Sequence, residues 1–369
     1  MQSFARKNER HTTPGQSERI AMDASEVTEG LTRFLTYEFW HGTVRRGQAG
    51  LGLRWFFISF FAFHRERRRN NQEIRFITEM ETMTKIDNKK ILIEEPFAVY
   101  LANKEQHLTS HALMDFVRCP RLFYLKKIGA LTADPNKVSA EMVLGSAAHK
   151  LILEGRQEFD RCYAVGAPVN PKTGKEYGRD TQAFEKWEEE QRREKGESIE
   201  FLTTQQWYVV SSMADSVAKH EEAQRLLKHG VAERVVRSHF HGIPVQSRLD
   251  WFTEIDNIPV IVDLKTCADL DAFEYDARKF LYGYQFAFYR MILLYSFFET
   301  FKTDIAVPAK VYAISIEKRP PFRCGVFEVP DGVLAHFNAK LTAAIESLKQ
   351  CQSDGHYPTL FESVRPLNL

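Results

Sequence analysis

A mixed α/β domain, with a central sheet flanked by helices, is the fold class this sequence predicts. Three observations carry it. Apolar residues recur at helical spacing before residue 230, strict alternation takes over between 231 and 265, and helical and alternating stretches then interleave to the end. The 369 residues suffice for one large domain or two ordinary ones, each with a real core. At 44% hydrophobic and 27% charged the composition is globular, which excludes wholesale disorder, collagen and coiled coil.

The elements follow in order. Ser110 is placed to cap a helix from His111 to about Ile128, kinked at Pro120, with Leu113, Phe116 and Val117 on its apolar side. A second helix covers roughly 141–154. The Gly- and Pro-rich stretch 166–180 reads as a loop and 181–196 as a charged helix. Residues 205–229 form a longer helix with Val209, Val210, Met213, Val217, Leu226 and Leu227 facing the core. Three strands are expected at 231–240, 243–252 and 258–265, the first two joined by a His241–Gly242 turn. A long helix from about Ala277 to Phe298, two strands at 311–317 and 325–329, and an amphipathic helix at 334–350 complete the set.

Residues 1–85 are set apart. They hold 12 Arg but two Lys, net +4, whereas the remainder nets −3. Periodicity is poor there, and Met80 and Met83 stand at the junction as alternative starts. The stretch is either a basic arm that touches DNA or membrane, or a dispensable extension. Residues 86–369 are expected to form a single domain. The apolar run Trp55–Phe63 is too short to span a bilayer, so no membrane span is expected. A net charge of +1 neither announces nor excludes a nucleic-acid groove, which needs only local positive charge. Five scattered cysteines without CxxC spacing point to free thiols and a cytoplasmic location.

The chemistry concentrates in Ile261-Val262-Asp263-Leu264-Lys265. Period two puts Asp263 and Lys265 on one strand face. Asp250, in Arg248-Leu249-Asp250-Trp251, lies near the end of the adjacent strand. Two converging carboxylates repel and resist burial unless a cation neutralises them, and Mg²⁺ (or Mn²⁺) suits carboxylates plus substrate phosphate. A plain Asp–Lys salt bridge is the alternative. Gln285 and Tyr289 share one helix face, where core packing is the ordinary role. His149 follows the small residues Gly145-Ser146-Ala147-Ala148; alone, such a histidine is more often structural.

In this order, Gly145…His149, Asp250, Asp263-Leu264-Lys265 and Gln285…Tyr289 resemble the PD-(D/E)XK nuclease superfamily. Within it they are most similar to the RecB/RecE branch and its exodeoxyribonuclease VIII-type domain. The likeness covers about residues 105–369, supported by RCPRLFYLKKI (118–128), NPKTGKEYG (170–178), DLKTCADLDAF (263–273) and DGHYP (354–358). It implies a restriction-endonuclease-like core. It further implies a metal site of His149, Asp250, Asp263 and the Leu264 carbonyl, with Lys265 steadying the attacking water or the transition state. Gln285 and Tyr289 would position DNA and the lysine, and Glu233 would match an upstream acid.

The activity so implied is a Mg²⁺-dependent DNA exonuclease of recombination or repair, acting on double-stranded DNA with free ends. An endonuclease, an RNA-acting nuclease and a catalytically silent DNA-binding protein of the same fold are the alternatives. Phosphate contacts are expected from Lys172, Lys175, Arg179, Arg248 and Arg290. A homo-oligomer and a recombination partner protein are compatible with this reading. No P-loop string occurs, so ATP-driven unwinding would fall to a partner. An iron–sulfur cluster is not expected, because Cys324 and Cys351 have no close companions.

Overall fold

The computed structural model describes residues 90–131, 139–302 and 309–366. The extension 1–85, its apolar run and its candidate start codons therefore lie outside the described residues.

The described chain opens with α1 (Phe97–Ala102), α2 (Ser110–Arg118) and α3 (Pro120–Lys127). The single kinked helix expected here is two helices. Cys119 between them is fully extended (φ −163°, ψ 104°), and Pro120 occupies the first turn of α3, where its missing N–H costs nothing. The α2 cap is Thr109 rather than Ser110: its hydroxyl accepts from the Ala112 N–H at 3.2 Å.

Helix α4 (Ala140–His149) passes into a π-turn over Lys150–Glu154, then α5 (Gly155–Cys162). A short parallel pair follows, β1 (Tyr163–Val165) against β2 (Glu200–Leu202), around α6 (Gln182–Lys195). The helix expected over 205–229 divides into α7 (Thr204–Lys219) and α8 (Glu221–Leu227), because His220 leaves the helix and its ring nitrogen accepts from the Ala223 N–H.

Among the described residues the main sheet has five strands in sequence order: β3 (Gly230–Phe240), β4 (Ile243–Ile255), β5 (Ile258–Cys267), β6 (Lys310–Glu317) and β7 (Cys324–Glu328). All pairs are antiparallel except β5–β6. The β3–β4 turn falls at His241–Gly242 as expected, and it and the β4–β5 turn at Asp256–Asn257 use left-handed backbone. The parallel step is bridged by α9 (Phe273–Lys279) and α10 (Tyr282–Phe301). The expected helix start at Ala277 thus lies inside α9, and Leu281 (φ 63°) separates the two. Helix α11 (Asp331–Asp354) ends the fold.

Two cores sandwich the sheet. On one face α2, α10 and α11 pack Leu113, Phe288, Ile292 and Leu341 against Val236, Leu249, Ile261 and Val311. On the other, α4, α7 and α8 pack Ala147, Met213 and Leu226 against Val260, Val262, Leu264 and Ile314. Strand alternation assigns the faces: Ile261 goes to the first core, and Val260, Val262 and Leu264 to the second. In β3 and β4 that alternation slips once. Val231 and Val236 face the same core, as do Leu249 and Phe252, although each pair differs in parity. The slip falls at Glu233, whose φ of 56° is left-handed, and at Asp250 opposite it.

Candidate active site

That slip aligns three acids on neighbouring strands. Ala232 pairs with Trp251 and Arg234 with Leu249, so Glu233 of β3 stands opposite Asp250 of β4. Trp251 pairs with Val262, so the next step in register carries Asp250 towards Asp263 of β5. There the β4–β5 ladder stops, although both strands continue. The Leu264 N–H donates to Asp250 Oδ2 at 2.9 Å in place of a strand carbonyl. The parted strands open beneath a cavity of about 860 Å³, lined by His149, Glu233, Asp250, Leu264, Lys265, Gln285 and Tyr289 among others.

Each acid has a counterpart. Arg248 Nε sits 2.9 Å from Glu233, with its guanidinium over the Phe97 ring. His149 Nδ1 lies 3.6 Å from Asp250 Oδ2. Lys265 Nζ is 2.5 Å from Asp263 Oδ2, an ion pair by distance. Asp263 is fully buried, and its Oδ1 has no hydrogen-bond partner. Behind them, the buried Gln285 amide donates to the Tyr289 hydroxyl at 2.6 Å.

Burial sets the electrostatics. It pushes the Glu233 carboxyl up to about 8, with Asp250 adding to the rise. It pushes Asp263 up to about 6, with the neighbouring Lys265 charge holding the rise back. Asp250 also moves upward for the same reason. His149 is pulled down to about 4 by burial and then by Lys265, so its imidazole is neutral at pH 7 with a lone pair to offer. Burial alone would lower Lys265, but Asp263 and Asp250 outweigh it and the net direction is upward.

A divalent cation fits this donor set. One ligand atom each from His149, Glu233 and Asp250 lies within 4.8 Å of the others. At that separation two carboxylates repel by roughly 3 kcal/mol at an effective dielectric of 20, a cost a shared cation reverses. The unpartnered Asp263 Oδ1 is the independent sign, since buried carboxylate oxygens without donors are rare. Oxygen-rich ligation with one imidazole suits Mg²⁺ or Mn²⁺.

The remaining sequence expectations divide. Arg248 is committed to Glu233, and Arg290 pairs with Asp331. Arg179 donates to the Phe201 carbonyl at 2.9 Å and has a local structural role. Lys172 and Lys175 are exposed in the loop. Tyr282, whose ring lies under Lys265, was not visible from sequence, because only the α9–α10 turn brings it there. Arg248 left a faint signal, being two residues from Asp250 on the same strand.

Acids from three adjacent strands, a helical histidine and a strand lysine at the parted end of a mixed sheet define a PD-(D/E)XK nuclease core. The family comparison agrees. Residues 109–365 match the PDDEXK-like domain of unknown function (DUF3799), and the chain belongs to that family. The match includes His149, Glu233, Asp250, Asp263, Lys265, Gln285 and Tyr289. Among solved structures, a proposed exonuclease from Eubacterium rectale is similar at 11% identity, over 75% of this chain and 96% of its own, with a TM-score of 0.49. The protein SSO0001 is similar at 12% identity, over 70% of this chain and 89% of its own, with a TM-score of 0.31. No curated protein matches by sequence. No helix among the described residues is long and apolar enough to cross a membrane.

Proposed function

We propose that this chain is a divalent-metal-dependent nuclease that hydrolyses phosphodiester bonds of DNA from free ends, in recombination or repair. The observation that carries the reading is the convergence of His149, Glu233, Asp250 and Lys265 on one cavity, with the buried Asp263 paired to Lys265. Acids so placed raise one another's pKa and destabilise the empty site, which a purely structural role gives no reason to keep. The preference for DNA ends rests on the motif likeness to the exodeoxyribonuclease VIII-type domain.

His149, Glu233 and Asp250 would hold the cation, with Asp263 and the Leu264 carbonyl as further ligands. When bound, it supplies Lewis-acid stabilisation of the charge that develops on the phosphate. Lys265, anchored by Asp263 and protonated, presents a fixed positive charge where the attacked phosphate gains negative charge. Gln285 and Tyr289 pack behind that pair and hold it in place. The neutral His149, with Nδ1 3.6 Å from Asp250, can offer a ring nitrogen to the cation without adding to the acids' charge.

The test is cleavage of end-labelled linear duplex and of covalently closed duplex, each with Mg²⁺ and with EDTA. The reading expects Mg²⁺-dependent loss of the linear substrate only. Cleavage of the closed circle would make the enzyme an endonuclease, and absence of cleavage on both would remove the nuclease reading.

A further inference from the structure

Lys265 is one end of a row of side chains that leaves the cavity. Its Nζ lies 4.8 Å from the centre of the Tyr282 ring. Tyr282 stacks on Phe280, with centroids 5.9 Å apart and planes 30° from parallel. Lys279 Nζ lies 5.5 Å from the centre of the Phe280 ring in turn. Tyr282 lines the cavity, whereas Phe280 is 42% exposed, so the row runs from the site lysine to solvent.

The local backbone holds the two rings side by side. Leu281 between them takes φ 63°, a left-handed conformation that leucine adopts only at a cost. Tyr282 is wedged further by Phe273 and Phe286. Phe280 has no such packing reason to be aromatic. Basic side chains adjoin it, Lys279 and Arg278 on its own helix and Arg118, whose Nη2 donates to the Lys279 carbonyl, although Glu274 and Asp276 lie on the same helix. Exposed rings interleaved with basic side chains are what single-stranded nucleic acid binds, because every base has a π-face and every phosphate a charge.

We propose that Phe280, backed by Tyr282, forms a stacking platform for an unpaired nucleobase, which takes the place of the Lys279 side chain over the ring, on the strand whose phosphate reaches Lys265. The inference rests on the nuclease reading and deepens it by naming the substrate class. A base can lie on Phe280 only after leaving its own stack, so the preferred substrate is single-stranded or frayed at its end, and a blunt duplex must open first. An unpaired base fits better than an apolar peptide. The ladder is one ring wide, runs on from the cavity and is flanked by lysine and arginine.

The experiment titrates the full chain, with Ca²⁺ in place of Mg²⁺, against an oligonucleotide carrying 2-aminopurine near its end and against a blunt duplex of the same sequence. Wild type is expected to bind the single strand more tightly and to quench the 2-aminopurine. Phe280→Ala should weaken single-strand binding roughly tenfold and lose the quench, with the duplex little changed. Phe280→Trp should restore both, and both variants should melt with wild type. The platform is overturned if Phe280→Ala binds and quenches as wild type does, the result expected if a peptide or a second copy of the chain covers the ring instead. It is also overturned if Phe280→Ala weakens strand and duplex alike and melts lower, which would make Phe280 structural. Wild-type protein that binds neither nucleic acid would remove the nuclease reading itself, and the platform with it.

Discussion

Asp250 Oδ2 accepts a 2.9 Å hydrogen bond from the Leu264 backbone N–H, taking the place of a β4 carbonyl where β4 and β5 part. The carboxylate therefore has two tasks, satisfying a buried amide and presenting charge to the cavity. The two can be separated. Asp250→Asn keeps an acceptor oxygen for Leu264 and should stay within about 0.5 kcal/mol of wild type. Asp250→Ala leaves that N–H unpaired and should lose roughly 1–3 kcal/mol. Denaturant melts without metal check this; equal stability of the two variants would show that the bond holds nothing.

Lys265→Ala should lower cleavage about 100-fold or more while leaving DNA affinity largely intact, since affinity is spread over many phosphate contacts. Single-turnover rates and filter binding on the same preparation measure the two effects. Residual cleavage above about a tenth of wild type would show that Lys265 does not act at the transition state.

Without metal, stability should fall as pH rises from about 6.5 to 8.5. Glu233 has its folded pKa raised from the ordinary value to about 8, so over this window the folded chain binds the proton more tightly than the unfolded chain. Stability gained from that proton is present below the unfolded value and lost as pH climbs through the folded one. His149 acts in the opposite sense, with stability lost as pH falls from its unfolded value towards about 4, and offsets the fall above 6.5 by only about 0.4 kcal/mol. The expected fall is on the order of 1–2 kcal/mol. Urea melts in EDTA measure it; Mg²⁺ or Glu233→Gln should flatten the slope. A rise over this window would contradict the assignment.

Tyr289→Phe should cost about 1–3 kcal/mol, because it strips the acceptor from a buried Gln285 amide. Combining it with Gln285→Leu should recover most of the loss, since neither polar group is then left without its partner. A double variant no more stable than the single would show that the pair acts through packing.

Much of this was legible in the chain, for identifiable reasons. Strand alternation placed Ile261, Asp263 and Lys265 on one face, because period two is set by the local backbone alone. What stayed hidden depends on breaks in local regularity. The apolar pattern runs unbroken across Cys119, His220 and Leu281, so three helices read as continuous where capping and left-handed backbone divide them. The slip at Glu233 hid its alignment with Asp250, since a positive φ on a glutamate has no composition signature. The β1–β2 pair, three residues each and 37 apart in their first partners, Tyr163 and Glu200, is made by tertiary contact rather than by propensity.

The proposed function stands on a divalent cation held by His149, Glu233 and Asp250, with Asp263 beside them. Titration calorimetry with Mn²⁺ on the metal-free full chain, wild type against Asp250→Asn, tests it most directly, because it requires neither substrate nor turnover. Wild type is expected to bind one or two Mn²⁺ per chain saturably, with proton release as the raised carboxyls ionise, and the variant at least tenfold more weakly at unchanged circular dichroism. Wild type that binds no Mn²⁺ at millimolar concentration, or a variant that binds it as tightly as wild type, would contradict the claim.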